Sequence, residues 1–329
     1  MKSNIKDVAK KAGVSISTVS RVVNESKVVR QETYKKVMKV IKELGYKPNA
    51  IARSLKIKTT KTIGILIPDI SIHLYPEIVR GIEDIANMYK YNIFLCNTDL
   101  DSEKELQYYD ALSEKQVDGI ILISSIISDE LNNKIKEYEI PTVSIGSDYK
   151  EIPSVTIDKK RASKEIVDYL IDRGHNRIAI ITDTKAIKSK SLEKLNGYKE
   201  ALKEANIEYD ERLVISGGYH FKDGYEGARH LLRLKDGPSA IFAANDEMAI
   251  GVVRAVLELG LNIPNEIAVV GFDNIDMSAK VFPSITTVAQ PLYEMGAIGM
   301  RVLTKIINNE CLETTKVVLN YSLLERESS

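Results

Sequence analysis

From residue 62 onward, short and nearly unbroken apolar runs recur, separated by stretches of helical pattern. Thr62–Pro68, Asn92–Cys96, Gly119–Ser124, Thr142–Ile145, Arg177–Ile181, Ala240–Ala243 and Ile267–Phe272 are all rich in β-branched residues. A strand with one wet face alternates apolar and polar residues, whereas a run without alternation is buried on both faces. Such strands alternating with helices predict doubly wound parallel sheets. Several runs end in polar residues: Asp69, Asn97 and Asp99, Ser124 and Ser125, Asn245 and Asp246, Asp273 and Asn274. Open parallel sheets bind ligands at the carboxyl ends of their strands. Asp69, Ser124, Asn245, Asp246 and Asp273 therefore mark a candidate cleft, although Asp and Asn there also suit helix N-caps.

The first sixty residues carry a different pattern. Val8, Ala9 and Ala12 share one helix face, and Gly13 is placed to end that helix in the left-handed conformation. Ser15 can cap a second helix over Ile16–Val23, with Val19, Val22 and Val23 inward and Ile16, Ser17, Ser20 and Arg21 outward. A third helix is expected over Gln31–Leu44. Two short helices around a glycine turn, with the small Ala9 where they cross, make a helix-turn-helix. The second helix of such a motif enters the major groove of DNA. There Arg21 can donate two hydrogen bonds to a guanine edge and Ile16 can meet a thymine methyl. Ser15, Ser17, Thr18, Ser20 and Asn24 are candidates for base or phosphate contacts, and Lys2, Tyr46 and Lys47 for phosphates. Asn49 can cap a further short helix, in which the small Ala50 and Ala52 permit close helix approach. Leu55 then stands among basic residues, where a leucine can wedge between base steps.

Charge agrees with this division. The chain of 329 residues is neutral overall, yet residues 1–60 hold fifteen Lys and Arg against four Asp and Glu. The head is +11 and the remainder −11, which points to a polyanion bound at one end. The length suggests two or three domains. No apolar run is long enough to span a membrane, and Met1–Gly13 lacks the apolar core of a secretory signal. Cys96 and Cys311 stand in no metal or redox spacing and suit a reduced cytoplasm. His73, His175, His220 and His230 show no metal spacing. Phosphate-loop, dinucleotide, zinc-protease and serine-hydrolase signatures are absent from the sequence. It reads as a non-enzyme without a cofactor.

The strings VAKKAGVSISTVSRVVN and LGYKPNAIARSL resemble the LacI/GalR family of bacterial regulators, and DGIILISS, IPSVTID, RGHNRIAIIT, FAANDEMAIG and VVGFDN extend the resemblance along the chain. The resemblance implies a lambda-repressor-like all-α head over 1–48, a hinge helix and linker over 49–60, and an effector-binding and dimerisation core over 61–329. That core is a periplasmic-binding-protein-like pair of α/β subdomains, 61–160 with 290–322 and 161–289 with 323–329, joined by crossing strands. It implies a homodimeric repressor on a pseudo-palindromic operator in double-stranded DNA. It makes Asn49–Lys56 the hinge helix, Leu55 the intercalating leucine, and Arg53 and Lys56 neighbours of the minor-groove backbone, with Ala52 between.

YPEIVRGIEDIANMYKYNI and QPLYEMGAIGMRVLTK are similar to the catabolite-control branch of the family, whose partner is the phosphocarrier protein HPr phosphorylated on serine. That resemblance implies partner contacts at Asp84, Met88 and Tyr89 on one helix and Tyr293, Arg301 and Lys305 on another. Arg301 and Lys305 lie four residues apart on one helix face, a spacing that suits a phosphoserine. Glu294 stands where that branch commonly has Asp. Lys194 stands in the cleft where sugar- and purine-binding relatives have arginine, and a lysine cannot form arginine's planar fork. The alternative is a repressor of one pathway controlled by a sugar, sugar phosphate or nucleotide.

Overall fold

Residues 4–23, 29–46, 59–123, 128–149, 151–183 and 192–329 are described in this computed structural model. The chain divides into two compact units, 1–60 and 61–329. In the first, α1 spans Ile5–Ala12, α2 Ile16–Val23 and α3 Gln31–Leu44, the three helices expected. Asn4 opens α1 with a reciprocal cap. Its side-chain oxygen accepts from the Lys6 and Asp7 amides at 2.8 and 3.2 Å, and the Asp7 carboxylate accepts from its own amide at 2.9 Å. Gly13 closes the helix at φ 62°, a conformation that costs any residue with a Cβ. Val8, Ala9, Ala12, Val19, Val22, Val37 and Val40 make the core. All are small, so three short helices can approach closely. The exposed Lys11–Glu43 pair between α1 and α3 adds little.

The second unit holds two six-stranded sheets. Sheet one comprises β1 (Thr62–Ile67), β2 (Asn92–Asn97), β3 (Gly119–Leu122), β4 (Thr142–Ile145), β5 (Ser154–Ile157) and β11 (Lys316–Leu319). Its order is β11-β5-β4-β3-β1-β2, and all pairs are parallel. Sheet two comprises β6 (Ile178–Asp183), β7 (Val214–Gly217), β8 (Ala240–Ala243), β9 (Ala268–Asp273), β10 (Thr286–Ala289) and β12 (Ser322–Leu324), in the order β12-β10-β9-β8-β6-β7. Only the β10–β12 pair is antiparallel. The central strands are buried throughout, which is why their sequences do not alternate.

The backbone passes between the halves three times. After β5 it enters the Lys159–Asp172 helix, whose Ala162, Ile166, Val167 and Leu170 pack with sheet two. After β10 it enters the Leu292–Ile307 helix, whose Leu292, Met295, Met300 and Leu303 pack with sheet one. The third passage joins β11 to β12.

The Leu74–Met88 and Leu292–Ile307 helices cross on glycines. A Cβ at Gly81 would lie 2.1 Å from the Tyr293 carbonyl oxygen, and one at Gly296 2.0 Å from that of Ile78. Only glycine permits backbones this close.

Candidate nucleic-acid interface and regulatory core

On α2, Ile16, Ser17 and Arg21 are exposed while Val19 and Val22 are buried, as the periodicity requires. Ser15 caps the helix, its Oγ accepting from the Thr18 amide at 3.1 Å. The same oxygen lies 2.7 Å from the Ser17 hydroxyl and 2.8 Å from the Thr18 hydroxyl. Three of the candidate contact hydroxyls are thus tied together at the helix start. Ser20 is half-buried. Tyr46 is half-buried too, its ring packing on the head core. Lys2, Asn24, Lys47, Asn49, Ala52, Arg53, Leu55, Lys56 and Ser124 lie outside the described residues.

The carboxyl ends of the two sheets enclose a cavity of about 80 Å³, lined by Ile145, Gly146, Lys159, Lys194, Tyr219, Asn245, Asp273 and Gln290 among others. That space suits a few waters. Lys194 and Asp273 converge here. The Lys194 ammonium donates to the Ala244 carbonyl and sits 3.8 Å from the Phe272 ring centre. Burial pushes its pKa down to about 8, helped by the neighbouring Lys159 cation and opposed by Asp273. Asp273 has φ 115° and accepts from the Gln290 amide group at 2.6 Å. Burial raises its pKa, while Lys194, Gln290 and Lys159 pull it back. The Lys159 ammonium donates to the Gly146 carbonyl, and burial lowers its pKa. Two buried cations thus face one carboxylate. Asn245 caps the following helix, accepting from the Met248 amide at 2.7 Å, and its side chain donates to the Tyr219 carbonyl at 3.3 Å.

On the outer surface, the glycine crossing sets two helices side by side. The Tyr293 hydroxyl donates to the Asp84 carboxylate at 2.8 Å, so these two residues are brought together. Met88 is 72% and Tyr89 45% exposed at the end of the first helix. Arg301 and Lys305 are exposed one turn apart on the second, in no ion pair among the described residues.

Residues 4–49 match the lacI family of bacterial regulatory proteins, and residues 167–329 match a periplasmic binding protein-like domain. The chain is 45% identical to the HTH-type transcriptional regulator RegA of Clostridium saccharobutylicum, with all of both chains covered. This chain is a LacI-family transcriptional regulator. It is also 43% identical to catabolite control protein A of Priestia megaterium, again over the whole of both chains. A lac repressor dimer bound to operator superposes with a TM-score of 0.89 at 26% identity, covering 100% of this chain and 99% of that one. Its relatives are DNA-binding regulators, so the regulator is not an enzyme. Among its described residues, no helix is long and apolar enough to cross a membrane, and no cluster is able to hold a metal.

Two of the residues expected in the regulator's cleft do not line it. Asp69 folds back on its own turn, accepting from the Ser71 amide at 2.8 Å. Asp246 is fully buried away from the cavity lining, accepting from the Thr287 hydroxyl at 2.6 Å and the Ile275 amide at 2.9 Å. Gly271 makes room for it, because a Cβ there would lie 2.2 Å from the carboxylate. Lys159 and Gln290, which line the cavity, were not expected. Lys159 sits two residues beyond β5, so the strand-end rule finds it once that strand is recognised.

Burial, then the neighbouring Asp273 charge, pushes the Asp246 pKa up to about 7. A value raised above that of the unfolded chain means that the neutral form favours folding. This contribution is complete below about pH 4 and is lost as pH rises through about 7. Wild-type core stability should therefore fall across that window relative to Asp246→Asn. Urea denaturation of both proteins at about pH 4.5 and 7.5 measures the difference, and parallel pH profiles would assign no penalty to Asp246.

Proposed function

We propose that this regulator is a homodimeric, cytoplasmic repressor of carbon catabolite control, whose affinity for a pseudo-palindromic operator rises when serine-phosphorylated HPr docks. The observation that carries the reading is the outer surface. Arg301 and Lys305 present two cations one turn apart on the helix whose Tyr293 holds Asp84, and the neighbouring helix that carries Asp84 ends in the exposed Met88 and Tyr89. Charge-assisted hydrogen bonds from a guanidinium favour a phosphate over a neutral hydroxyl. Dimerisation is supported by the family and by apolar exposure in the core. Phe282 is 81% exposed, and the edge strand β2 exposes Phe94 and Leu95. In this reading Asn49, Ala52, Arg53, Leu55 and Lys56 form the hinge, with Leu55 wedged into the operator.

Arg301→Ala should abolish the enhancement of operator binding by serine-phosphorylated HPr while leaving basal DNA binding intact. Fluorescence anisotropy with phosphorylated and unphosphorylated HPr makes the comparison. A coupling of about 1–3 kcal/mol is typical of such linkage, and it must be equal in both directions. A second reading, repression controlled by a sugar phosphate, is favoured by the two buried lysines facing the cavity. It replaces the first if calorimetry gives heat with sugar phosphates and none with phosphorylated HPr.

A further inference from the structure

Lys159 and Lys194 both line the cavity at the carboxyl ends of the sheets. Each ammonium donates to one backbone carbonyl, Gly146 for Lys159 and Ala244 for Lys194. Neither makes an ion pair with a carboxylate among the described residues. Asp273, the carboxylate in the same lining, accepts from the Gln290 amide group at 2.6 Å. A lysine held this way differs from one in an ion pair. A carboxylate partner keeps the proton on, whereas a carbonyl adds no net charge. After losing a proton, Lys194 still donates to the Ala244 carbonyl, and its repulsion with Lys159 is relieved. Burial is the largest influence on it. Asp273, Asp246 and Glu193 favour the ammonium, as does the Phe272 ring 3.8 Å away, while Lys159 opposes it. Burial prevails, and the pKa comes down to about 8.

We infer that Lys194 is an acyl-acceptor site for short-chain acyl phosphates, with the Lys159 ammonium holding the phosphate. Such a molecule carries a carbonyl carbon for an amine and a dianion for a cation, the two groups that this cavity sets side by side. The Lys194 ammonium first gives one proton to solvent. The nitrogen lone pair then attacks the acyl carbon. A C–N bond forms, and the bond from that carbon to the phosphate oxygen breaks. Phosphate leaves with the electron pair and takes the second proton that the nitrogen loses. The products are an amide on Lys194 and inorganic phosphate. Charge-assisted hydrogen bonds from Lys159 favour the phosphate both bound and leaving. The cavity of about 80 Å³ has room for several waters, hence for an acetyl group and its phosphate, but not for the nucleotide of coenzyme A. This chemistry is independent of the docking surface on the outer helices.

The test treats the full-length protein with millimolar acetyl phosphate and follows acetylation lysine by lysine by peptide mass spectrometry. Lys194 should react about tenfold or more faster than Lys203, an exposed lysine on the same helix, because each unit of lowered pKa gives about tenfold more neutral amine. Inorganic phosphate should slow Lys194 and leave Lys203 unchanged. Lys159→Met, which keeps bulk and removes the cation, should slow Lys194 about fivefold or more and abolish the competition by phosphate. Matching circular dichroism and melting check that this variant is folded, and the competition in unmodified protein needs no variant. Trace labelling with acetic anhydride reads the amine alone. Labelling of Lys194 should level off above about pH 8, while that of free Nα-acetyl-lysine amide keeps rising. Acetyl coenzyme A should show no preference for Lys194. Three results would overturn the site: acetyl phosphate labels Lys194 no faster than Lys203, phosphate fails to compete, or acetyl coenzyme A labels Lys194 as selectively as acetyl phosphate does.

Discussion

Gly296→Ala is expected to destabilise the core by about 3 kcal/mol, even though alanine favours a helix over glycine by about 1 kcal/mol. The added Cβ would sit 2.0 Å from the Ile78 carbonyl oxygen and 2.9 Å from its carbon. Those are backbone atoms in the opposing helix, so no rotamer change can relieve the contact. The two helices must separate, and the Ile78, Ile82, Met295 and Met300 packing between them and sheet one loosens. Gly45→Ala in the head is the control. A Cβ there meets nothing within 4 Å, and the only cost is the left-handed φ of 58°. Urea denaturation should show the core midpoint shifted for Gly296→Ala and unmoved for Gly45→Ala. The head and core transitions need separate probes, because two units need not unfold together. An unchanged core midpoint in Gly296→Ala would mean that the helices have slack at their crossing.

Arg21→Ala should lower operator affinity roughly 10- to 100-fold and flatten discrimination at one base pair of each half-site. The loss corresponds to about 1–3 kcal/mol for a bidentate guanine contact. Arg21 is exposed in the last turn of α2, on the face opposite the buried Val19 and Val22. Its removal takes nothing from the head core, so the loss should fall on DNA alone. Residual binding of the variant should keep its steep salt dependence, because the +11 head retains its other cations. Titrations against operator and scrambled duplex at two salt concentrations separate the two terms. An unchanged ratio between the duplexes would remove Arg21 from base reading.

The head was legible to the residue in its three helices, because each has an amphipathic stripe and two end on a left-handed glycine. In the core, β4 and β8 fall where unbroken apolar runs predict them, and β9 begins and ends one residue later than expected. β5, β10, β11 and β12 did not stand out. Each has only three or four residues, and Ser154, Thr156, Thr286 and Thr287 are buried hydroxyl residues that break the apolar signal. β11 pairs with β5 across some 160 positions of sequence, a match no local window detects. The cleft was half legible for the same reason. A strand-end rule identifies Asn245 and Asp273 but cannot separate a carboxylate facing a cavity from one buried away from it. For Asp246 that distinction lies in Thr287 and the Ile275 amide, which reach it only through the β9–β10 pairing.

The three backbone passages between the halves set the mechanics of any signal that crosses them. They act as torsion springs mounted side by side, so their stiffnesses add and no single one can swivel freely. A rotation of one half must twist all three strands at once. The waist then behaves as a fulcrum, and small displacements there become larger ones at the far end of the Leu74–Met88 helix, where Met88 and Tyr89 stand. A single proteolytic cut in one passage would soften this pivot by losing one spring of three, while the two remaining strands kept the halves covalently joined.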